Sequence, residues 1–310
     1  MMLSSVAERL YWMSRYLERA QDTAKLLQTY SHVIMDLPIG TGPPWEIVVD
    51  ILDARAVFES KYRQGGEKNV VKFLTSDKVV PCSIPFSVNA ARENVRTSRD
   101  VLPEESWELV NELHLYISDN ASSSWTRRNR YEYLREVVSR CRVINALLID
   151  SLPRDHSYGF IRLGRLIECA DMTSRVMDIG AGNIMSRSKP SPVVDTVLWR
   201  SLLHALSAET AYRRAIGPII EETAAVNFIF NDPIFPRSMK YCVRAILDEL
   251  TWLKHNDLPI KAAERMRRGL RRTESVEMTS ESVHAFVDDF QHQLNSLDLS
   301  IKSTWFVQTN

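Results

Sequence analysis

Residues 4–27 read SSVAERLYWMSRYLERAQDTAKLL, and their spacing decides the fold. Val6, Leu10, Met13, Leu17, Ala20, Ala24 and Leu27 step by four and three alternately, the period that brings side chains onto one face of an α-helix. Ser4 and Ser5 suit an N-cap, and LPIGTGPP at 37–44 ends the run. The stretch therefore predicts one long helix with a single buried stripe.

The same period returns over 44–62, 67–75, 84–99, 104–119, 128–152, 157–184, 192–216, 219–230, 236–254, 259–274 and 280–305, each run closed by turn residues. Only NVVKFL (69–74) and KVVPCSI (78–84) are strand-like in composition, and both are short. Ten glycines in 310 residues fit long helices with few tight turns. The chain is expected to be all-α, an antiparallel helical bundle over 1–310 as a single domain or as two packed halves, 1–152 and 153–310. IGTGPP (39–44) and SRSKPSP (186–192) are the expected linkers, and ERMRRGLRRTES (264–275) is the one conspicuous basic run, expected to be a solvated helix face.

Composition bounds the function classes. The chain is 45% hydrophobic and 25% charged, and its 39 basic and 39 acidic residues cancel. No whole-protein basic field is available to gather nucleic acid or an anionic membrane. The first residues reach Glu8 and Arg9 before an apolar run can build, and no uncharged stretch approaches the ~20 residues that span a bilayer. Cys82, Cys141, Cys169 and Cys242 are widely separated and lack zinc-site spacing, so reduced thiols in a cytoplasmic protein are expected.

The first helix has an echo. RYLERAQDTAK at 15–25 aligns with RLIECADMTSR at 165–175, matching Arg15 to Arg165, Glu18 to Glu168, Ala20 to Ala170 and Thr23 to Thr173. This predicts a pseudo-repeat, with related helices near 5–30 and 157–184. Arg15 and Glu18 are i, i+3 apart, as are Arg165 and Glu168, so each pair can meet on its own helix surface. If instead the two helices cross near a pseudo-twofold axis, the charges meet inside the bundle, where they must be paired. Two half-sites would then form one pocket.

Other polar clusters could join it. Arg92, Arg96 and Arg99 fall on one helix face beside Glu93 and Asn94, and guanidinium forks suit carboxylate or phosphate. In NDPIFPRSMKYC (231–242), Asp232, Arg237 and Ser238 surround a helix start at which Pro236 could occupy the first turn and leave backbone N–H groups facing an anion. No phosphate-cradling glycine loop or GxSxG elbow occurs and no HExxH or ExxH motif offers a metal cage, so no metal site and no cofactor are expected.

Five stretches together resemble the alpha-E domain family of bacterial all-helical proteins: LSSVAERLYWMSRYLERAQDTAKLL, SVNAARENVRTSRDVLPEESWELVNEL, FIRLGRLIECADMTSRVMDI, WRSLLHALSAETAYRR and FIFNDPIFPRSMKYCV. The resemblance carries Glu8, Arg9, Trp12, Arg15, Glu18, Arg19 and Thr23 from the first stretch, and Arg92, Glu93, Asn94 and Arg96 from the second. Arg165, Glu168, Asp171, Thr173 and Arg175 follow from the third, then Asp232, Pro236, Arg237 and Ser238 from the last. Two positions depart from the pattern: Cys169 stands where an arginine is expected, which would remove one cation from the pocket, and Ser14 where glycine is common. The resemblance implies association with a circularly permuted ATP-grasp protein and a transglutaminase-like protein, in a peptide- or amide-ligating system.

Two readings follow. In the first, the chain is an accessory subunit of an ATP-grasp ligase: Arg15, Arg19, Arg92, Arg96, Arg165, Arg175 and Arg237 hold a small anionic or peptide substrate, and Glu18 or Glu168 orients an amine or takes its proton. Glu8, Arg9, Thr23, Glu93, Asn94, Asp171, Thr173, Asp232 and Ser238 support them. In the second, the chain is a non-catalytic interaction module whose polar helices only lock the fold. Pairs that converge on a concave pocket favour the first; pairs buried as closed struts favour the second.

Overall fold

The computed structural model describes residues 4–38, 41–188, 190–273 and 279–306. Parts of the expected linkers at 39–44 and 186–192, and the end of the basic run at 264–275, lie outside the described residues. The helices in chain order are α1 (Ser4–Asp36), α2 (Ile47–Ile51), α3 (Arg55–Lys61), α4 (Glu67–Ser76), α5 (Ile84–Arg96), α6 (Glu105–Asn120), α7 (Arg127–Ser151) and α8 (His156–Arg175). They continue as α9 (Gly182–Met185), α10 (Pro192–Ala205), α11 (Glu209–Ala215), α12 (Glu222–Asn231), α13 (Met239–Trp252), α14 (Asp257–Thr273) and α15 (Ser280–Ile301). No strand occurs among the described residues, and no helix there is long and apolar enough to cross a membrane.

The predicted stripe of α1 is buried: Leu10, Leu17, Ala20, Ala24 and Leu27 are fully enclosed. With neighbours on several sides, α1 buries polar residues as well, and it packs against α5, α7, α8 and α10. The helix α8 packs against α1, α13 and α15. Around each of the two lies a succession of helices in contact in chain order: α5, α6 and α7 near α1, then α13, α14 and α15 near α8. Buried apolar residues from both halves of the chain form one continuous cluster.

Both strand-like segments are helical or looped. Val70, Val71, Phe73 and Leu74 face the core from α4, so burial overrides the weak helix propensity of the valines. KVVPCSI forms the loop before α5, whose N-cap Ser83 accepts from Phe86 N.

Two expected helices are broken. The 44–62 segment divides into α2 and α3 at Asp53 (φ 51°), and 192–216 divides into α10 and α11 at Ser207 (φ 55°). In both, the next amide donates to a carbonyl five residues back, Ala54 N to Val49 O and Ala208 N to Leu203 O, closing a Schellman-type end. After α8 the chain widens into a π-helical turn over Val176–Ala181.

Candidate functional site

The α1–α8 crossing is set by small residues. Any Cβ on Gly164 would lie 2.2 Å from Tyr11 O and 2.3 Å from Ser14 Oγ, so the helices touch backbone to side chain there. Ser14 is the position that corresponds to Gly164 at the 150-residue offset, so two small residues meet face to face.

This close approach interleaves the charges. Arg15 does not pair with Glu18 on its own helix, nor Arg165 with Glu168; the partners are exchanged. Glu168 accepts from Arg15 Nε at 2.8 Å and from Arg19 Nε and Nη2 at 2.5 and 2.9 Å. Glu18 accepts from Arg165 Nε at 3.0 Å and from Arg237 Nη2. The side chains of Glu18 and Glu168 are 1% and 2% exposed, so each is a buried anion held by two guanidinium groups. The cation missing at Cys169 is thus replaced from outside the repeat by Arg237, whose Nη1 also donates to Asp22 at 3.0 Å.

Three participants carried no signal in the sequence reading. Asp298 on α15 accepts from Arg15 Nη1 at 2.9 Å and from the Tyr11 hydroxyl at 2.5 Å. Asp22 completes the pairing of Arg237. Burial raises the carboxyl of Asp22 to about 7, against the pull of Arg237 and with added repulsion from Glu18. Burial also disfavours ionised Glu168, but Arg15 and Arg19 outweigh it and hold its pKa at about 2.

A second pattern recurs around this network. Thr23 Oγ1 donates to Cys82 O and Thr173 Oγ1 to Arg237 O, both at 3.2 Å. Those carbonyls sit in matching loops: Asp77 Oδ1 accepts from Val79 N and Val80 N, and Asp232 Oδ1 from Ile234 N and Phe235 N. Ser83 and Ser238 then cap α5 and α13. The common spacing DxxxPxS (77–83 and 232–238) is the signal that could have linked these loops in advance. It also corrects the expectation for the second loop. Pro236 precedes the N-cap Ser238 and lies outside the first turn of α13, where the Tyr241 amide donates to Ser238 Oγ, while the loop amides of Ile234 and Phe235 bind the carboxylate of Asp232.

The remaining candidates divide into two places. Asp171 and Arg175 pair at 3.0 Å, and Arg175 also reaches Asp53 at 3.5 Å. With Arg19, Glu168 and Cys82 they line an open cleft of about 320 Å³. Burial raises the pKa of Asp171, opposed by Arg175. Elsewhere, Arg92 donates to Asn111 and Glu93, and Arg96 donates to Glu93, closing within α5 and α6. Arg92 and Arg99 flank the Trp107 ring at 4.9 and 5.1 Å. Asn94 is half-buried, Glu8 is exposed, and Arg9 donates to Thr97 O at 3.0 Å, near this cluster rather than the α1–α8 core.

Against known families, residues 2–306 match Alpha-E, described as a predicted alpha-helical domain with a conserved ER motif. The chain belongs to the Alpha-E family. Of its three Glu-Arg dipeptides, at 8–9, 18–19 and 264–265, the alpha-E core network uses both members of Glu18–Arg19. Comparisons with curated proteins and with solved structures find no match.

Among the described residues of this Alpha-E chain, the donor set nearest to a metal site is Asp178, His284 and Asp288, with one donor atom from each within 4.8 Å of the others. His284 Nδ1 lies 2.6 Å from Asp178 and Nε2 lies 3.7 Å from Asp288. Hydrogen bonding to Asp178 raises the imidazole pKa, with help from both carboxylate charges. Two flanking carboxylates favour the imidazolium, which has no lone pair for a metal.

Proposed function

We propose that this Alpha-E chain is a cytoplasmic, non-catalytic helical interaction module that serves as an accessory subunit of an amide- or peptide-ligating ATP-grasp system. The system is the one its sequence resemblance implies, with a circularly permuted ATP-grasp protein, and a transglutaminase-like protein beside it, as partners. The observation that carries this reading is the exchanged pairing at the α1–α8 crossing, where Glu168 is buried, bonded to Arg15 and Arg19, and held ionised far below neutral pH. A general base must give up such partners before it can accept a proton near pH 7. The arginines are engaged as well, so the duplicated charges act as struts between helices.

One observation favours a second reading, substrate positioning. The cleft beside Arg19 and Arg175 is open and large enough for a small peptide fragment. Its lining charges are two guanidinium groups against the carboxylates of Glu168, Asp171 and Asp53, which does not make it an anion trap.

The test is co-expression with the circularly permuted ATP-grasp protein, followed by capture and measurement of ADP release dependent on a carboxylate and an amine substrate, for wild type, Glu168→Gln and Arg175→Ala. The module reading expects capture and ADP release to persist in every variant whose thermal melting shows a folded protein. Loss of ADP release from a folded, captured variant would establish the positioning reading instead.

A further inference from the structure

Cys82, Cys141, Cys169 and Cys242 are all free thiols, and two of them meet. Cys169 on α8 and Cys242 in the first turn of α13 are 73 positions apart in the chain, yet their sulfurs lie 3.9 Å apart, the Cys242 thiol donating to Cys169 Sγ. The loop before α13 fixes this register. Thr173, one turn beyond Cys169, donates to Arg237 O, and the Cys242 amide donates to Ser238 O as α13 begins. Both sulfurs are therefore carried on helices that pack against each other.

A buried thiol by itself is inert, because burial disfavours the thiolate. That describes Cys141, and also Cys82, whose thiol burial pushes up to about 11. The Cys169 and Cys242 pair differs in two respects. A second sulfur stands close to bonding distance: from 3.9 Å, an S–S bond of about 2.05 Å needs each sulfur to move by about 1 Å, which side-chain rotation supplies. The Arg237 guanidinium also acts electrostatically on both sulfurs, favouring the negative charge that sulfur carries when it attacks. The hydrogen bond to Cys169 and burial keep Cys242 protonated, so Cys169 is the attacking sulfur and Cys242 the resolving one.

We propose that Cys169 and Cys242 are a peroxide-sensitive pair that closes to a disulfide linking α8 to α13. Cys242 is fully buried and Cys169 is 5% exposed, so the oxidant must be close to water in size, as hydrogen peroxide is. The Cys169 sulfur attacks one peroxide oxygen, the O–O bond breaks, and the departing hydroxide takes the thiol proton, leaving water and a sulfenic acid at Cys169. The Cys242 sulfur then attacks the Cys169 sulfur, the S–O bond breaks, and hydroxide leaves as water with the Cys242 proton. Two thiols are oxidised to one disulfide, and one peroxide is reduced to two waters. The inference concerns neither partner nor substrate, and it stands whichever reading of the function holds.

The experiment treats the reduced full chain with hydrogen peroxide, unfolds it in urea containing iodoacetamide to block every remaining thiol, and maps the unreduced digest by mass spectrometry. The expected product joins the Cys169 and Cys242 peptides, two hydrogen atoms lighter than their sum. The linked chain should also melt at a higher temperature than the reduced one, because the bond closes a loop spanning 73 positions. Alkylation of both cysteines after peroxide treatment overturns the proposal, as does sulfinic acid at Cys169 without a link. In Cys242→Ala the sulfenic acid has no resolving sulfur, so dimedone should trap it at Cys169; a folded variant without that adduct would remove Cys169 from the attacking role. If the variant does not fold, the linked peptide from the wild type decides by itself.

Discussion

At the scale of the residue, Glu168 shows how a buried charge is made tolerable. Removing a carboxylate from water is expensive, and here the cost is offset by hydrogen bonds from two guanidinium groups. Deleting the charge leaves Arg19 without its carboxylate and Arg15 with Asp298 alone, so Glu168→Gln should destabilise the fold by roughly 3–5 kcal/mol, measured by urea unfolding at pH 7. The sign with pH follows from the depressed pKa. The stabilisation is present above the unfolded value of 4.5 and is lost as pH falls toward about 2. The difference between wild type and Glu168→Gln should therefore shrink on acidification through that window. A constant difference would show that the carboxylate's charge is not what matters. Arg15, Glu18, Arg165 and Glu168 were legible in the sequence because they repeat in register. Asp298 was not, since its bond to Arg15 spans 283 positions and no local pattern marks it.

At the scale of the element, the crossing of α1 and α8 depends on the missing side chain at Gly164. Glycine costs a helix about 1 kcal/mol relative to alanine, so Gly164→Ala would stabilise an isolated α8. In the bundle the new methyl meets the backbone oxygen of Tyr11, which cannot swing aside as a flexible side chain would. The expected net result is a destabilisation on the order of 1–3 kcal/mol, read as a lower melting temperature; a higher one would refute the close packing. Another inter-element contact responds to pH. His284 at the start of α15 binds Asp178 in the π-helical turn, and its pKa is raised. A raised histidine pKa contributes stability that is fully present below the unfolded value near 6.5 and lost as pH rises through the folded value. Consequently, His284→Ala should lower the melting temperature more at pH 6 than at pH 8.5, modestly, because the imidazole is largely exposed. The breaks at Asp53 and Ser207 were not legible because a left-handed helix end usually advertises itself with glycine, and neither residue is one.

At the scale of the whole molecule, the second arginine cluster stands apart. Arg92, Glu93 and Arg96 satisfy one another on the surface of α5, with Arg96 and Glu93 about half exposed. Exposed pairs of this kind contribute little, so Arg96→Ala should change stability by less than about 1 kcal/mol. A larger loss in thermal melting would mean that the cluster supports the bundle as the α1–α8 struts do. The contrast between the two clusters follows from position. Arginine and glutamate in similar short spacings become struts where two central helices cross, and a solvated lattice where one helix face meets water.

The amino-acid sequence by itself determined that the chain is all-helical and which charged residues recur at an offset of 150, because periodicity and i, i+3 spacing are local properties. Only the tertiary structure decided that Arg15 binds Glu168 and Arg165 binds Glu18 rather than each its own helix neighbour. It also supplied Arg237 in place of the cation absent at Cys169, and left Arg92 and Arg96 on another surface. The reason is geometric. A charged helix face specifies the kind of partner it needs, whereas the identity of that partner depends on where two helices can approach, and here Gly164 and Ser14 set that point.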